Sequence, residues 1–290
     1  MIIDLHTHVL PEKIVQKAMA GLSGVSHLAP VLDGTENALL KEMNRPDGEI
    51  VDLSVVLPVG TNPLKIESLN EFALSINQKY FPNGFDSFFS DYGKENGECV
   101  KEKKLLSFAA IHPDCPNVRG MIKNIAKQGF KGIKIHPDYQ GVFFDDKRFY
   151  EIIDEAENQN LITVTHAGLD YGFLSEVHCS PSRALRLIKD IRPKKLVLAH
   201  LGGNSLWYDV EELLCGYGVY FDTAFINGRI KPEQFEKIIL KNGADKILFA
   251  TDSPWDDQVK DIAFIRSLEK ITAEDKGKIL GENALRLLAE

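Results

Sequence analysis

Residues 2–8 have the sequence Ile-Ile-Asp-Leu-His-Thr-His, a short apolar run that ends in two histidines. Seven further runs rich in valine, isoleucine and leucine follow it along the chain. Their apolar residues do not alternate with polar ones, which is typical of parallel strands covered on both faces. The predicted strands are 2–8, 51–57, 105–111, 132–136, 161–166, 195–200, 219–222 and 247–252.

Segments with helical periodicity separate these runs. Apolar residues within 149–156 recur at the spacing of one helix face. Ser180-Pro181 suits the start of another helix, and Asn242-Gly243 suits the end of a third. The alternation of strands and helices predicts an α/β protein, a (β/α)8 TIM barrel that forms a single domain over residues 1–290. A doubly wound open sheet is the structural alternative.

Two connections are longer than the bare βα repeat requires. Residues 21–49 extend the first connection, and residues 82–104 form a polar insertion before the third predicted strand. Long connections of this kind are either lids over an active site or solvated loops, and both interpretations stay open here.

The composition of the chain indicates which kinds of molecule the protein can bind and where it acts. The chain of 290 residues has a formal net charge of −8, which disfavours binding to nucleic acid or to anionic membranes. No apolar run approaches the roughly 18 residues that cross a membrane. The four cysteines are scattered and are expected to be reduced thiols. We therefore expect a cytoplasmic protein that acts on a small molecule, and a homodimer is compatible with the sequence.

Histidine or aspartate ends most of the predicted strands. In a (β/α)8 barrel the carboxyl ends of the strands form one rim, and active sites lie there. Residues that are distant in sequence should therefore converge on one pocket. These residues are His6, His8, His136, His166, His200, Asp222 and Asp252.

The pair His6 and His8 predicts a metal site. Residues two apart on a strand face the same side, with Cα atoms about 6.5–7 Å apart. Together with His166 and Asp252 they offer three imidazole nitrogens and one carboxylate oxygen, a set that suits a catalytic zinc ion. Water bound to such an ion has a pKa near 7, so hydroxide becomes available at neutral pH.

Four short motifs lie at these strand ends, and a fifth closes the chain. They are Asp-Leu-His-Thr-His (4–8), Thr-His-Ala-Gly (165–168), Ala-His-Leu-Gly-Gly (199–203), Thr-Asp-Ser-Pro (251–254) and the closing Ile-Leu-Gly-Glu-Asn-Ala-Leu-Arg-Leu-Leu (279–288). The strand-end motifs resemble those of the amidohydrolase superfamily. The closing segment resembles one branch, the amidohydrolase-related proteins that include aminocarboxymuconate semialdehyde decarboxylase. The resemblance extends from residue 2 to about residue 288 and is weakest in the two long connections.

The resemblance implies roles for individual residues. It implies metal ligation by His6, His8, His166 and Asp252. It places His200 beside the metal, as an acid/base group or as a further ligand. In hydrolytic relatives the residue at the position of Asp252 also takes a proton from the metal-bound water, so Asp252 and His200 are the candidate catalytic residues.

The fourth predicted strand carries Lys134 and His136 on one face. Superfamily members with two metals have a carboxylated lysine or a glutamate on this strand, which bridges the ions. We expect His136 and Lys134 to bind substrate, while a structural role for His136 and a bridging role for Lys134 stay open. Asp222 ends its strand, where it can position the loop that follows.

The site constellation favours an enzyme. The leading hypothesis is a hydrolase that attacks a small-molecule amide, ester or lactone with metal-activated water. The alternative is a metal-dependent decarboxylase or hydratase of a small carboxylic acid, in which the metal polarises the substrate and His200 handles protons. A non-catalytic metal-binding barrel is a third hypothesis. One Zn²⁺ ion is expected, and manganese, iron or cobalt suit the same donors.

Overall fold

The computed structural model describes residues 1–88 and 104–290, so most of the predicted insertion at 82–104 lies outside the described residues. Parallel strands alternate with helices along the described chain. The strands are β1 (Ile3–Thr7), β2 (Leu53–Val56), β3 (Lys104–Ser107), β4 (Ala109–Ala110), β5 (Gly132–Ile135), β6 (Ile162–Thr165), β7 (Leu196–Leu198), β8 (Tyr220–Asp222) and β9 (Ile247–Leu248).

Helices connect the strands and follow the last one. The described α-helices are α1 (Val15–Ser26), α2 (Glu36–Glu42), α3 (Ile66–Tyr80), α4 (Val118–Lys127), α5 (Pro137–Gln140), α6 (Lys147–Asn158), α7 (Pro181–Ile191), α8 (Trp207–Leu213), α9 (Pro232–Asn242), α10 (Gln258–Ser267), α11 (Ala273–Gly277) and α12 (Asn283–Ala289). Short 3-10 turns lie at Pro63–Lys65 and Ala244–Lys246, and a π-helical turn at Lys278–Glu282.

The strands follow one another in sequence order, all parallel, as β1-β2-β3 and β4 through β9. β3 and β4 are two parts of the third predicted strand, and Phe108 between them still donates its amide to Val56 O at 3.0 Å. The chain after β9 returns to β1, where Leu5 N donates to Phe249 O at 2.9 Å and Asp252 N to His6 O at 2.8 Å. The first strand therefore bonds on both sides, as in a closed barrel and not an open sheet, which confirms the predicted (β/α)8 fold.

The predicted helix signals have structural counterparts. The apolar stripe within 149–156 is buried on α6. Ser180 stands at the N-cap of α7 but makes no capping bond, because its hydroxyl pairs with Ser182 Oγ at 3.1 Å. Asn242 is the last residue of α9, and Gly243 follows it with a φ of 97°. No helix in the described ranges is long and apolar enough to cross a membrane.

The first long connection lies against the carboxyl-terminal rim of the barrel. The amides of Val31 and Leu32 donate to Pro254 O at 2.7 and 3.2 Å, and Leu10 N donates to Gly34 O at 3.0 Å. The first two bonds tie the segment between α1 and α2 to the loop after β9, and the third ties it to the chain after β1. Of the two interpretations of residues 21–49, the structure therefore favours a cover over the rim.

Candidate active site

The carboxyl ends of the strands surround a cavity of about 660 Å³. Alternation along a strand puts a side chain from the end of each of several strands on its wall. The expected ligands, catalytic residues and substrate-binding residues line this one cavity, namely His6, His8, Lys134, His136, His166, His200 and Asp252. Asp222, the other strand-end residue, is completely buried behind the wall. Asn204 and Trp255 also line it.

Three donor atoms converge at the end of β1. His6 Nε2 lies 3.2 Å from His8 Nε2. Asp252 Oδ1 lies 3.3 Å from His6 Nε2 and 3.0 Å from His8 Nε2. Ligands about 2.0–2.2 Å from one ion stand roughly 3.0–3.5 Å from each other, so these spacings match a coordination shell.

The other ring nitrogen of each histidine fixes which atom is free to bind. His6 Nδ1 lies 2.9 Å from Asp222 Oδ2 and donates its proton to that carboxylate. His8 Nδ1 lies 2.7 Å from Leu57 O and donates to that carbonyl. Both Nε2 atoms are then unprotonated and direct their lone pairs toward Asp252, an arrangement typical of metal-ligating histidines.

The protonation of these groups agrees with this geometry. Burial, and after it the charge of Lys134, holds the pKa of His6 well below its ordinary value, so the ring is neutral. Burial by itself raises the pKa of Asp252, but the close contact with His8 Nε2 and nearby positive charge outweigh it and hold this pKa below its ordinary value. The neutral ring of His6, the ring of His8 beside it and the ionised carboxylate of Asp252 therefore offer donor atoms that fit a divalent cation.

Lys134 brings a cation to the same place. Its side chain is 1% exposed, and Nζ lies 2.9 Å from His6 Nε2. Burial lowers the pKa of this amine to about 8. Lys134 lies on β5, two residues before His136, which follows the strand. The two side chains therefore point to the same side, as the strand alternation predicts. Its contact with the donor cluster puts positive charge beside any ligand that binds there.

His166 lies in a neighbouring group. Its Nδ1 is 3.0 Å from His200 Nε2, and its ring stacks on His136 with centroids 4.3 Å apart. Within the described ranges His166 Nε2 has no hydrogen-bond partner, and it is 3.9 Å from both Asp138 Oδ2 and Asp170 Oδ2. The structure thus brings three of the four expected ligands together and places the fourth in a group with His136 and Asp170.

Hydrogen bonds to the chain after β8 and to Asp222 orient His200. Its Nδ1 donates to Ala224 O at 3.0 Å, while its amide donates to Asp222 Oδ1 at 2.8 Å. Its carbonyl accepts the Trp207 Nε1 proton at 3.1 Å, so this tryptophan is packed beneath the site. Nε2 is the nitrogen left to exchange protons, next to His166.

The backbone at two of these residues is unusual. His200 has a φ of 57° and Asp252 a φ of 64°, both in the left-handed region that non-glycine residues rarely adopt. Such conformations cost about 1–3 kcal/mol each and cluster at functional sites. The bonds from Asp252 N to His6 O and from His200 N to Asp222 hold them in place.

Sequence reasoning missed two carboxylates near the site and part of the role of a third. Asp222 was expected to position the following loop; it accepts the Ala224 amide there, but it also joins His6 to His200. Asp170 lies in the loop after β6, 3.4 Å from His136 Nε2, and no periodicity or motif marks it. Asp138 accepts both the amide and Nδ1 of His178 at 3.0 Å. Only the strand-end position of Asp222 was a usable signal.

A barrel with histidine and aspartate donors gathered at its carboxyl-terminal rim defines the class of metal-dependent TIM-barrel enzymes. A family model described as amidohydrolase matches residues 111–289, more than half of the chain, and the chain belongs to this family. The expected membership of the amidohydrolase superfamily is thereby confirmed. A comparison with curated protein sequences gave no match.

Solved structures share the fold over the whole chain. An uncharacterized TIM-barrel protein of Bordetella bronchiseptica is 15% identical with a TM-score of 0.70, covering 99% of this chain and 98% of that one. The 2,6-dihydroxybenzoate decarboxylase of Rhizobium is 17% identical with a TM-score of 0.62, covering 99% and 98%. A dihydroxybenzoic acid decarboxylase of Polaromonas sp. JS666, with bound manganese and the inhibitor 2-nitroresorcinol, is 18% identical with a TM-score of 0.63, covering 99% and 96%. Identities this low show the fold alone.

Proposed function

We propose that this chain is a metal-dependent decarboxylase of an aromatic or unsaturated carboxylic acid. The observation that carries the proposal is the convergence of His6 Nε2, His8 Nε2 and Asp252 Oδ1 beside the buried amine of Lys134. A divalent ion and an ammonium group both attract carboxylate oxygens. The names of two structures of similar fold, both decarboxylases of hydroxylated benzoic acids, support this reaction over hydrolysis.

We propose zinc as the ion, with manganese, iron and cobalt as metals that suit the same donors. His6, His8 and Asp252 would hold it, and His166 is the proposed further ligand. A divalent ion bound there supplies Lewis-acid polarisation of a substrate oxygen.

The protein's own groups then have distinct tasks. Lys134 binds and orients the carboxylate through a charge-assisted hydrogen bond. The walls of the cavity separate the carboxylate from bulk water, which favours movement of its negative charge into the rest of the substrate as neutral carbon dioxide forms. The bond between the carboxyl carbon and the substrate carbon breaks, and its electron pair stays on the substrate carbon. His200 takes up a proton from solvent at Nε2 and gives it to that carbon, where it takes the place of the carbon dioxide that leaves.

Hydrolysis is the second candidate, and the state of Asp252 favours it. A carboxylate whose pKa stays below its ordinary value is ionised at neutral pH and can take a proton from an attacking water molecule. In that reaction an oxygen atom of water enters the organic product, whereas in decarboxylation it does not.

Isotopic labelling separates the two reactions. The zinc-loaded protein is incubated with hydroxylated benzoates and unsaturated acids, and separately with aryl esters and lactones, in ¹⁸O-labelled water and in D₂O. Decarboxylation releases carbon dioxide and leaves deuterium on the carbon that lost it, with no ¹⁸O in the organic product. Labelled oxygen in a new carboxylate without carbon dioxide release would replace the decarboxylase proposal with the hydrolase.

A further inference from the structure

The rim cavity extends well beyond the donor cluster. Its far wall consists of apolar side chains from α1 and the connection after it on one side and from the start of α3 on the other. We call this part the apolar arm, and it is lined by Met19, Leu22, Leu28, Ile66, Leu69 and Phe72.

The local backbone makes room for the arm. A Cβ atom at Gly60 would lie 2.3 Å from Ile66 Cδ1, so only glycine lets this methyl group keep its place on the wall. Gly34 has a φ of 80°, and a Cβ there would lie 3.0 Å from Met19 Sδ. Gly60, in the connection before α3, therefore makes room for Ile66 on one side of the arm. Gly34, in the connection after α1, makes room for Met19 on the other side.

The size of the cavity exceeds what a single-ring acid fills. Pockets of about 300–1,000 Å³ hold drug-sized ligands, and 660 Å³ lies in the middle of that range. The donor cluster and Lys134 occupy one end only, so a small hydroxylated benzoate leaves the arm unfilled.

The charges on the wall limit how many anionic groups a ligand carries. Apart from histidines, the basic residues that line the cavity in the described ranges are Lys134 and Lys65. Lys134 is buried at the donor cluster, whereas Lys65 is exposed at the far side. One carboxylate of a ligand can pair with the buried amine of Lys134. A second anionic group inside the arm would contact apolar side chains, which disfavour its charge.

We infer that the substrate is an amphipathic carboxylic acid, with its carboxylate at the donor cluster and an apolar substituent of several carbons in the apolar arm. This inference rests on the proposed function for the carboxylate end. The substituent is an alkyl chain or a second ring, because side chains of leucine, isoleucine, methionine and phenylalanine provide its surroundings and each buried methylene favours binding.

A homologous series of probes tests the arm without requiring turnover. Dissociation constants of benzoate, 4-methyl-, 4-ethyl-, 4-propyl- and 4-butylbenzoate are measured on the zinc-loaded protein by calorimetry, with the fluorescence of Trp255 in the cavity wall as a second readout. Each added methylene should tighten binding about three- to fourfold until the arm is full. A flat series, or one that weakens with length, overturns the inference.

Two variants locate the effect. Leu69→Gln keeps the length of the side chain but makes the wall polar, and it should remove most of the gain per methylene. Leu22→Gln changes the opposite wall and serves in the same way if the first variant does not fold. The matched control is Leu240→Gln, because Leu240 is 63% exposed and lies outside the cavity. An unchanged series in both wall variants overturns the inference.

Failure of the reaction and failure of the arm are distinguishable. Affinity that rises with chain length while no acid releases carbon dioxide supports the arm and contradicts the decarboxylase. Carbon dioxide release from single-ring acids, with neither affinity nor kcat/KM improved by a longer substituent, supports the decarboxylase and overturns the arm.

Discussion

Asp222 Oδ2 accepts the Nδ1 proton of His6 at 2.9 Å, while Oδ1 of the same carboxylate accepts the amide of His200 at 2.8 Å. Asp222 is completely buried, and burial raises its pKa above the ordinary value. One carboxylate thus fixes the tautomer of a proposed metal ligand and the backbone of the proposed proton donor.

Asp222→Asn should weaken metal binding about 10–100-fold, as is usual when the partner of a ligating histidine is lost. Asparagine has a single acceptor oxygen and cannot serve His6 and His200 together. The zinc dissociation constant is measured by competition with a chromogenic chelator. Asp190→Asn is the control, since this exposed carboxylate accepts the hydroxyl of Tyr150 and lies outside the cavity. Equal affinities in wild type and Asp222→Asn would contradict the assigned role.

We expect one tightly bound divalent ion per chain, and zinc should be the main metal in the purified protein. Elemental analysis of gently purified protein gives the stoichiometry, and removal of the ion with a chelator should abolish turnover and lower Tm.

His8→Ala removes one of three converging donors and should leave little bound metal. His166→Ala tests the proposed further ligand, and metal content equal to wild type would exclude it. Two equivalents of metal would contradict the single-ion site.

The fold was predictable because each strand is a short apolar run that needs burial on both faces. The convergence of His6, His8 and Asp252 was also predictable, since strand ends of a barrel share one rim. Asp138 and Asp170 were not, because they lie in connections whose path depends on tertiary packing. The π-helical turn at Lys278–Glu282 was hidden for a similar reason: Asn283 donates to the carbonyls of Ala244 and Ile247, contacts that no local pattern records.

His200→Ala should slow turnover about 10²–10⁴-fold while the metal stays bound. The ring exchanges protons through Nε2, and its other nitrogen is committed to Ala224 O. Steady-state kcat and metal content are measured on the same samples. If metal content falls as far as in His8→Ala, His200 is a ligand and its role as the proton donor is wrong.

Lys134→Met keeps a long side chain and removes the buried charge. Benzoate should bind the zinc-loaded variant about 10–100-fold more weakly, the usual loss for a hydrogen bond to a charged group. Zinc itself should bind at least as tightly, because the amine no longer contacts His6 Nε2. Lys131→Met is the control, because it removes contacts of this amine with Asp86 and the Phe85 ring that lie outside the cavity. Loss of metal from the Lys134 variant would instead favour a bridging lysine.

The pH dependence of stability should contain a contribution from Asp261, away from the donor cluster. Burial, and after it the charge of Asp256, raises the pKa of Asp261 from 3.8 to about 9, and its Oδ1 accepts the side-chain amide of Asn227 at 2.9 Å. Between these two values the folded state keeps the proton and the unfolded state does not. The unfolded state then binds fewer protons, so the free energy of unfolding falls as pH rises, by up to about 1.4 kcal/mol per pH unit.

Asp261→Asn removes this titration and keeps an uncharged side chain of the same shape. Urea unfolding at pH values of about 5, 7 and 9 should therefore show a smaller loss of stability with rising pH than the wild type. Asp275→Asn is the control. The hydrogen bond from Thr272 lowers the pKa of that half-buried carboxyl, so it is ionised in both states throughout this range and its removal leaves the slope unchanged. A wild-type slope in Asp261→Asn would show that Asp261 ionises normally in the folded protein.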